Sequence, residues 1–132
     1  ILQNDYLIPF FTVYQNIELA SQIQNLNTSF AQRMNEISEW LDLDGIKNEK
    51  IMNLSNSQKQ KVVIARALIN NPKLILADEP TGNLDSVSAN SLNDYFFKLR
   101  DEFDTSIVMV THNSELAQRA DRTLKLIDGK WL

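Results

Sequence analysis

The 132 residues include no cysteine, which excludes a disulfide framework and a thiolate metal site and fits a cytosolic protein. Glycine is scarce, and no segment reads G-x-x-x-x-G-K-[ST], the glycine-rich loop that cradles nucleotide phosphates. Long apolar runs are also lacking, since none approaches the roughly 18 residues that a membrane-spanning helix needs. The chain opens on Ile-Leu-Gln without a signal-peptide pattern, and we interpret it as a fragment of a longer protein.

Basic residues are too few for a nucleic-acid surface. Thirteen Lys and Arg stand against 17 Asp and Glu, which gives a net charge of −4, and the basic residues are scattered along the chain. The length suits one domain that could bury roughly two-thirds of its unfolded surface. These properties favour a globular protein with no nucleic-acid partner.

The first half of the chain predicts helices. Thr12-x-x-Gln15 has capping-box spacing and predicts a short helix to about Gln22, and Ser55-x-x-Gln58 predicts a buried helix that Asn71-Pro72 ends. Between them, a helix from about Ser29 to near Gly45 is indicated by apolar residues at helical spacing: Phe30, Met34, Ile37 and Leu41. A linker, residues 47–53, follows it.

The second half alternates strands and helices. Residues 73–77 predict a strand covered on both faces, as in a parallel sheet, and residues 107–110 predict a second buried strand. A helix from about Ser86 carries a single apolar stripe: Ala89, Leu92, Phe96, Leu99 and Phe103. Ser114 should cap a short helix, and Asp128-Gly129 predicts a hairpin turn. The class is therefore α/β with a helical subdomain.

The first strand delivers Asp78 and Glu79 into a loop, and the second ends at Thr111-His112. Paired carboxylates suit a chemistry in which one holds Mg²⁺ and the other polarises the water that attacks a phosphate. Acidic residues also follow buried strands simply because the chain reaches solvent there, and a lone histidine at a strand end can be merely solvated. Because parallel strands end at the same sheet edge, we expect His112 to lie beside Glu79.

Two further segments have alternative interpretations. Residues 55–58, Ser-Asn-Ser-Gln, are explained locally as a helix cap, but a helix N-terminus is also an anion site. Tyr6, Phe10 and Phe11 could form a hydrophobic plug or an exposed docking surface, and we favour docking.

Taken in order, these motifs resemble the ATPase domain of ABC transporters, over essentially the whole chain. The matching residues are Gln3, Leu54-Ser55-x-x-Gln58, Leu76-Ala77-Asp78-Glu79-Pro80-Thr81, Gly82-Asn83-Leu84-Asp85 and Thr111-His112. The Ala-Asp-Glu-Pro-Thr-Gly-Asn-Leu-Asp stretch looks most like the subgroup of lipoprotein-release, macrolide-export and cell-division ATPases.

The resemblance implies roles for individual residues. Asp78 would hold Mg²⁺ through water, Glu79 would be the general base, and His112 would touch the γ-phosphate of ATP. Gln3 would be the Q-loop residue that senses Mg²⁺ and the membrane partner. The signature segment, residues 55–58 (Ser55, Asn56, Ser57 and Gln58), would grip the γ-phosphate bound on a second ATPase subunit, and Asp85 would lie across that same interface.

Two departures from the family pattern stand out. The signature is usually Leu-Ser-Gly-Gly-Gln, whereas Asn56 and Ser57 replace the two glycines, so their side chains could crowd the phosphate or require another backbone path. The phosphate-binding Walker A loop and its strand are missing from these residues, which predicts a partial P-loop NTPase (RecA-like) parallel sheet plus an α-helical subdomain.

The implied organisation has three parts: residues 1–3 as a strand end and Q-loop, residues 4–71 as the helical subdomain, and residues 72–132 as the C-terminal part of the catalytic core. The resemblance implies an ATP-hydrolysing subunit at the cytoplasmic face of a membrane, bound to a transmembrane permease. The fragment itself should bind no ATP tightly, be inactive, and either rearrange or self-associate through its incomplete sheet. The alternatives are a degenerate regulatory module and, less favoured, a soluble ABC-type ATPase acting on nucleic acid.

Overall fold

Two parallel strands form the larger sheet of the computed structural model, which describes residues 1–2, 6–22, 29–103 and 105–131. Strand β1 (Leu74–Asp78) pairs with β2 (Ser106–Val110) in a register that places Asp78 opposite Val110. Helix α4 (Ser86–Phe103) connects them, as a parallel pair requires. The outer edge of β1 carries Ile1, whose backbone exchanges hydrogen bonds with Leu76 and Asp78.

A second, separate sheet follows the short helix α5 (Ser114–Gln118). Strands β3 (Leu126–Ile127) and β4 (Lys130–Trp131) form an antiparallel hairpin. Asp128 and Gly129 both have positive φ, at 48° and 74°, as a two-residue hairpin turn requires. The predicted Asp-Gly hairpin is confirmed.

Among the described residues, three α-helices precede the parallel sheet: α1 (Val13–Ser21), α2 (Phe30–Trp40) and α3 (Asn56–Leu68). The capping box that begins α1 is confirmed by reciprocal hydrogen bonds, at 2.9 Å from Thr12 N to Gln15 Oε1 and 3.1 Å from Gln15 N to Thr12 Oγ1. One 3₁₀ turn, Asp44–Ile46, lies just before the linker, and the linker itself holds a second, Ile51–Asn53. It also caps α1, because the carbonyls of Glu49 and Lys47 accept hydrogen bonds from Val13 N and Tyr14 N.

Helix α2 ends at Trp40, earlier than the position near Gly45 that the sequence predicts. Asp42 adopts a left-handed conformation with φ of 56°, and the N–H of Leu43 donates to the carbonyl of Ser38 at 2.8 Å. The N–H of Asp42 also donates to Glu39 O at 3.2 Å, which completes a Schellman motif. An aspartate takes the place that glycine usually occupies, so Gly45 is not the terminator.

The hydrophobic core lies between the helices and the inner face of β1 and β2. Its buried side chains come from helices α1 to α4, the C-terminal cap of α2 and strand β1: Val13, Ile17, Met34, Ile37, Leu41, Val62, Ile64, Leu68, Ile75, Leu92, Phe96 and Leu99. Trp40 joins α2 to α4, since its ring packs edge-on against Tyr95 and Phe103 at 5.1 Å each and its Nε1 donates to Glu102. The helical region and the sheet therefore share one core.

The prediction that both strands are covered on both faces is wrong. Leu74 and Leu76 of β1 are 51% and 61% exposed, and Val108 and Val110 of β2 are 56% and 58% exposed. Alternate residues point to opposite faces of a strand, so one face of the β1–β2 sheet is open to solvent, and four of its side chains are large and apolar. The helices in the described part of the chain cover only the other face.

The cap of α5 also differs from the prediction. The Asn113 side chain, rather than Ser114, accepts hydrogen bonds from the N–H groups of Glu115 and Leu116, at 2.9 and 3.1 Å. Ser114 is instead the first residue of the helix. Among the described residues, no helix is both long and apolar enough to cross a membrane.

Candidate functional site

The carboxyl ends of β1 and β2 bring Glu79 and His112 together, as the parallel arrangement predicts. The N–H of His112 donates to Glu79 Oε1 at 2.8 Å, and His112 Nε2 lies 3.5 Å from the same oxygen. The carboxylate of Glu79 is largely shielded, whereas the imidazole is 97% exposed. The site therefore couples a held carboxylate to an imidazole that faces solvent.

Glu79 has a strained backbone. Its φ of 42° lies in the left-handed region, which costs a residue with a Cβ roughly 1–2 kcal/mol. Its N–H donates to the carbonyl of Val110 at 3.0 Å, and its own carbonyl accepts from the N–H of Gly82 at 3.1 Å. Strain of this kind persists where the surrounding structure fixes the conformation, and it is common at functional sites.

Asp78 is the last residue of β1, and its side chain lies on the exposed face of the sheet, on the same side as Leu74 and Leu76. Asp78 and Glu79 therefore differ in exposure although they are adjacent. An exposed carboxylate suits Mg²⁺, which keeps several waters and takes one or two protein carboxylates together with substrate phosphates. The described residues contain no cluster of three or more His, Cys, Asp or Glu that could hold a metal by themselves. Asp78 fits the ion only if the phosphates complete its coordination.

Asp85 occupies the position just before α4 and caps it. Its Oδ1 accepts hydrogen bonds from the N–H groups of Val87 and Ser88 at 3.1 and 3.0 Å, and its Oδ2 accepts from Ser88 Oγ at 2.7 Å. These hydrogen bonds, those from Ser88 first, lower the pKa of Asp85. Within this chain, Asp85 therefore has a complete local role as a helix cap.

The signature segment, residues 55–58, begins α3 with a full capping box. Ser55 N donates to Gln58 Oε1 at 2.9 Å, and Gln58 N donates to Ser55 Oγ at 3.2 Å. Asn56 and Ser57 are the first two residues of the helix, and neither has a positive φ. The Asn and Ser that replace glycines thus need no unusual backbone path. Backbone N–H groups in a first helical turn have no partner within the helix.

Gln60 is a site residue that the sequence reasoning missed. It is buried, and its Nε2 donates to the carbonyl of Pro80, next to Glu79, at 2.6 Å. Its position could have revealed it, because Gln60 stands one turn before the buried Val63 and Ile64 and so lies on the core side of α3. A polar residue on that side needs a specific partner.

The loop of residues 6–11, the aromatic loop, exposes most of its rings. Tyr6, Phe10 and Phe11 are 68%, 72% and 39% exposed, and the neighbouring Met52 is 56% exposed. Asn16, which is buried, fixes the loop by bonding both the N–H and the carbonyl of Ile8. The aromatic side chains thus form an exposed patch on an ordered base, and this exposure does not suit the alternative of a hydrophobic plug.

Not every predicted residue meets at the sheet edge. Asp78, Glu79 and His112 do so, while Ser55 and Gln58 bond to each other and Asp85 bonds to its own helix. Gln3 lies outside the described residues. The structure therefore brings together the proposed hydrolytic residues and keeps the proposed signature residues on a separate helix end.

An α/β fold with carboxylates and an imidazole at the carboxyl edge of parallel strands is typical of the P-loop NTPase class. Comparison with known proteins agrees: a family profile described as "ABC transporter" matches residues 1–82. The chain belongs to the ABC transporter family of ATP-binding domains.

Relatives of the chain include lipoprotein-releasing system ATP-binding proteins. The chain is 41% identical over 130 residues to the lipoprotein-releasing system ATP-binding protein LolD of Bacteroides fragilis, covering 98% of the chain and 60% of that protein. It is 37% identical over 132 residues to LolD 1 of Rhodopseudomonas palustris, covering 98% of the chain and 58% of that protein. The chain thus spans less than two-thirds of the length of these relatives.

Solved structures share the fold. A dimeric, post-hydrolysis structure of the ATP-binding cassette MJ0796, bound to ADP and Pi, matches with a TM-score of 0.79 and 36% identity. The match covers 96% of this chain and 57% of that one. Residues of this chain thus adopt the fold of an ABC cassette, with a parallel sheet and associated helices.

Proposed function

We propose that this chain forms the hydrolytic part of an ATP-hydrolysing subunit of an ABC transporter of the LolD type. The observation that carries the proposal is the pairing of Glu79 with His112 at the carboxyl edge of β1 and β2, next to the exposed Asp78. A phosphate-binding loop is absent from these residues, so the whole protein must supply one for hydrolysis. ATP and Mg²⁺ are the cofactors of that whole protein.

The side chains at the sheet edge have distinct roles in this proposal. Glu79 polarises the attacking water, because its carboxylate is shielded and fixed by the N–H of His112. His112, whose ring is exposed, reaches the γ-phosphate and stabilises the charge that develops there. Asp78 would hold Mg²⁺, which when bound neutralises charge on the phosphate oxygens.

The remaining predicted residues act across a dimer. Asn56 and Ser57 present the N–H groups of the first turn of the 13-residue helix α3, a geometry that binds anions such as the γ-phosphate held by the second subunit. Ser55 and Gln58 stabilise that helix end, and Asp85 lies at the same interface. Gln3 remains the proposed sensor of Mg²⁺ and the membrane partner.

The aromatic loop is the proposed contact with a transmembrane permease. Residues 4–71 act as the helical subdomain that carries this contact, while residues 72–132 complete the catalytic core and residues 1–3 lead from core to subdomain. The exposure of Tyr6 and Phe10 supports docking, because exposed aromatic patches often mark interaction sites. The subunit would thereby lie at the cytoplasmic face of a membrane.

The decisive experiment compares Glu79→Gln with wild type in the whole gene product that contains this sequence. We expect Mg²⁺-dependent ATP hydrolysis by the wild type and a loss of at least about a hundredfold in kcat for Glu79→Gln, because the base is removed while the shape is kept. Glu115→Gln is the matched control, because Glu115 is an exposed acid on α5. This variant should hydrolyse ATP like the wild type.

Two other outcomes identify the alternatives. A wild-type protein that docks its membrane partner without hydrolysing ATP would establish the regulatory module. Recovery of nucleic acid rather than membrane subunits in a pull-down would favour a soluble ABC-type ATPase, although the net charge of −4 opposes that function.

The 132 residues alone should bind Mg-ATP weakly. Triphosphate affinity comes mainly from the glycine-rich loop and its lysine, which these residues lack. Isothermal titration calorimetry of this chain should give no saturable heat at micromolar concentrations. A micromolar dissociation constant would show that another part of the chain replaces the glycine-rich phosphate-binding loop.

We further propose that these residues, expressed alone, self-associate through the sheet. Strand β2 pairs only with β1 among the described strands, and the β3–β4 hairpin does not join that sheet. An unpaired edge beside an apolar face favours pairing with another chain.

A further inference from the structure

Gln60 ties the signature helix to the catalytic turn through a buried hydrogen bond. Its side chain is only 7% exposed, and its Nε2 donates to the carbonyl of Pro80 at 2.6 Å. Residue 60 lies in the second turn of α3, whereas Pro80 directly follows Glu79. One side chain thus joins the element that begins with the signature segment to the loop that carries the general base.

The turn from Glu79 to Leu84 needs such a constraint. Glu79 is left-handed, with φ of 42°, and the next turns close through hydrogen bonds from Gly82 N to Glu79 O and from Leu84 N to Thr81 O. On the strand side, Glu79 N is held by Val110 O. On the helix side, the Pro80 carbonyl is held by Gln60. The Glu79 backbone is thus fixed from both sides, as a strained conformation requires.

Packing alone does not explain an amide at position 60. The Oε1 of Gln60 is buried and has no hydrogen-bond partner in the described part of the chain. A buried acceptor without a partner costs roughly 1–3 kcal/mol, a cost that an apolar side chain of similar size avoids. The functional part of the Gln60 amide is therefore its Nε2 group, which donates to the carbonyl of Pro80.

We propose that Gln60 is a positioning residue for ATP hydrolysis. It holds the Glu79 carboxylate in a fixed position relative to the N-terminus of α3. This inference rests on the proposed function of Glu79. The helix that contacts one nucleotide and the carboxylate that acts on another are then mechanically linked within one subunit.

Two variants of the whole protein separate positioning from packing. Gln60→Met keeps the length of the side chain and removes the donor, and Gln60→Glu keeps the shape and replaces the donor with an acceptor. We expect both to lower kcat by about tenfold to a hundredfold with little change in KM for ATP, because a misplaced base costs transition-state stabilisation rather than binding.

The pH profile gives a readout that simple destabilisation does not. Burial raises the pKa of a carboxyl group introduced at position 60, and its protonated form can donate to the Pro80 carbonyl again. The kcat of Gln60→Glu relative to wild type should therefore rise as the pH falls from 8.5 to 6, whereas the relative kcat of Gln60→Met should stay constant. Taking ratios to the wild type cancels the pH dependence that all three proteins share.

Asn93→Asp is the matched control, because Asn93 is a buried amide on α4 whose Oδ1 also lacks a partner among the described residues. It should lose thermal stability without the change in kcat. Unchanged kcat in both Gln60 variants, or a Gln60→Glu ratio that does not depend on pH, would overturn the inference while leaving the proposed function intact. Absence of hydrolysis by the wild type would overturn both.

Discussion

At the scale of single residues, the proposed general base, Glu79, has a strained backbone. Positive φ angles also occur at Asp42, Asn71 and Asp128, residue types that tolerate them, and at Tyr6 in the aromatic loop. Glu79 has no such local reason, since its carboxylate bonds to His112 and its carbonyl to Gly82. The left-handed conformation instead directs the side chain towards the end of β2.

This strain is measurable by comparing Glu79→Gly with Glu79→Ala. Both remove the carboxylate and its hydrogen bond with His112, so they differ mainly in the cost of a Cβ at positive φ. We expect the glycine variant to have a free energy of unfolding about 1 kcal/mol higher than the alanine variant. Urea denaturation of the 132-residue chain measures the difference.

The same pair of substitutions at Glu36 is the control, because that residue lies within the regular helix α2. There the order should reverse, with alanine more stable than glycine by about 1 kcal/mol. Equal stability of the two Glu79 variants would show that the backbone at this position is relaxed.

Sequence reasoning found the residues of the sheet edge because parallel topology alone brings strand ends together. Asp78, Glu79 and His112 needed only the assignment of two parallel strands. Gln60 was missed because its partner is a backbone carbonyl twenty residues away, and no local pattern marks such a contact. Its burial on α3 was readable, but its function required the fold.

At the scale of elements, local signals predicted helix starts better than helix ends. Both capping boxes form as predicted, since each depends on four consecutive residues. The end of α2 was misplaced because Asp42 takes the left-handed position of a Schellman motif, which the pattern assigned to Gly45. Strand coverage was misjudged because burial depends on what packs above the sheet, and an apolar run does not encode that.

The cap of α4 should make stability depend on pH. The folded pKa of Asp85 is lowered by its hydrogen bonds with Ser88, so its stabilisation is complete above the unfolded pKa of about 3.9 and is lost as the pH falls through the folded pKa. Asp85→Asn keeps a good cap that does not titrate.

We expect the difference in free energy of unfolding between wild type and Asp85→Asn to be constant from pH 7 to about 5. Below about pH 4 it should shift in favour of the variant, because only the wild type loses a charged cap. Urea titrations across this pH range measure the difference. The pKa of Asp101 is also lowered, by its hydrogen bond with Arg100, but this effect is common to both proteins and cancels in the difference. If the free energies of unfolding of the two proteins follow parallel curves down to pH 2, Asp85 adds no charge-dependent stability.

At the scale of the whole molecule, the described residues leave a sheet with one edge and one face unsatisfied. The exposed face carries four large aliphatic side chains, Leu74, Leu76, Val108 and Val110, each more than half exposed. Beside it, the outer edge of β2 has no strand partner among the described residues, whereas the corresponding edge of β1 is occupied by Ile1. Both features lie along β2, so a second chain placed there would satisfy them together.

The isolated chain should therefore associate as its concentration rises through the micromolar range. Val108→Lys should shift the equilibrium to monomer, because it places a charge on the edge strand at the centre of the apolar face.

Val87→Lys is the matched control: Val87 is 76% exposed on α4, away from the sheet face, and the variant should associate like the wild type. Light scattering coupled to size-exclusion chromatography measures the mass. A wild-type chain that stays monomeric at roughly 100 µM would contradict the expectation, and equal loss of association in both variants would assign it to net charge instead of the sheet.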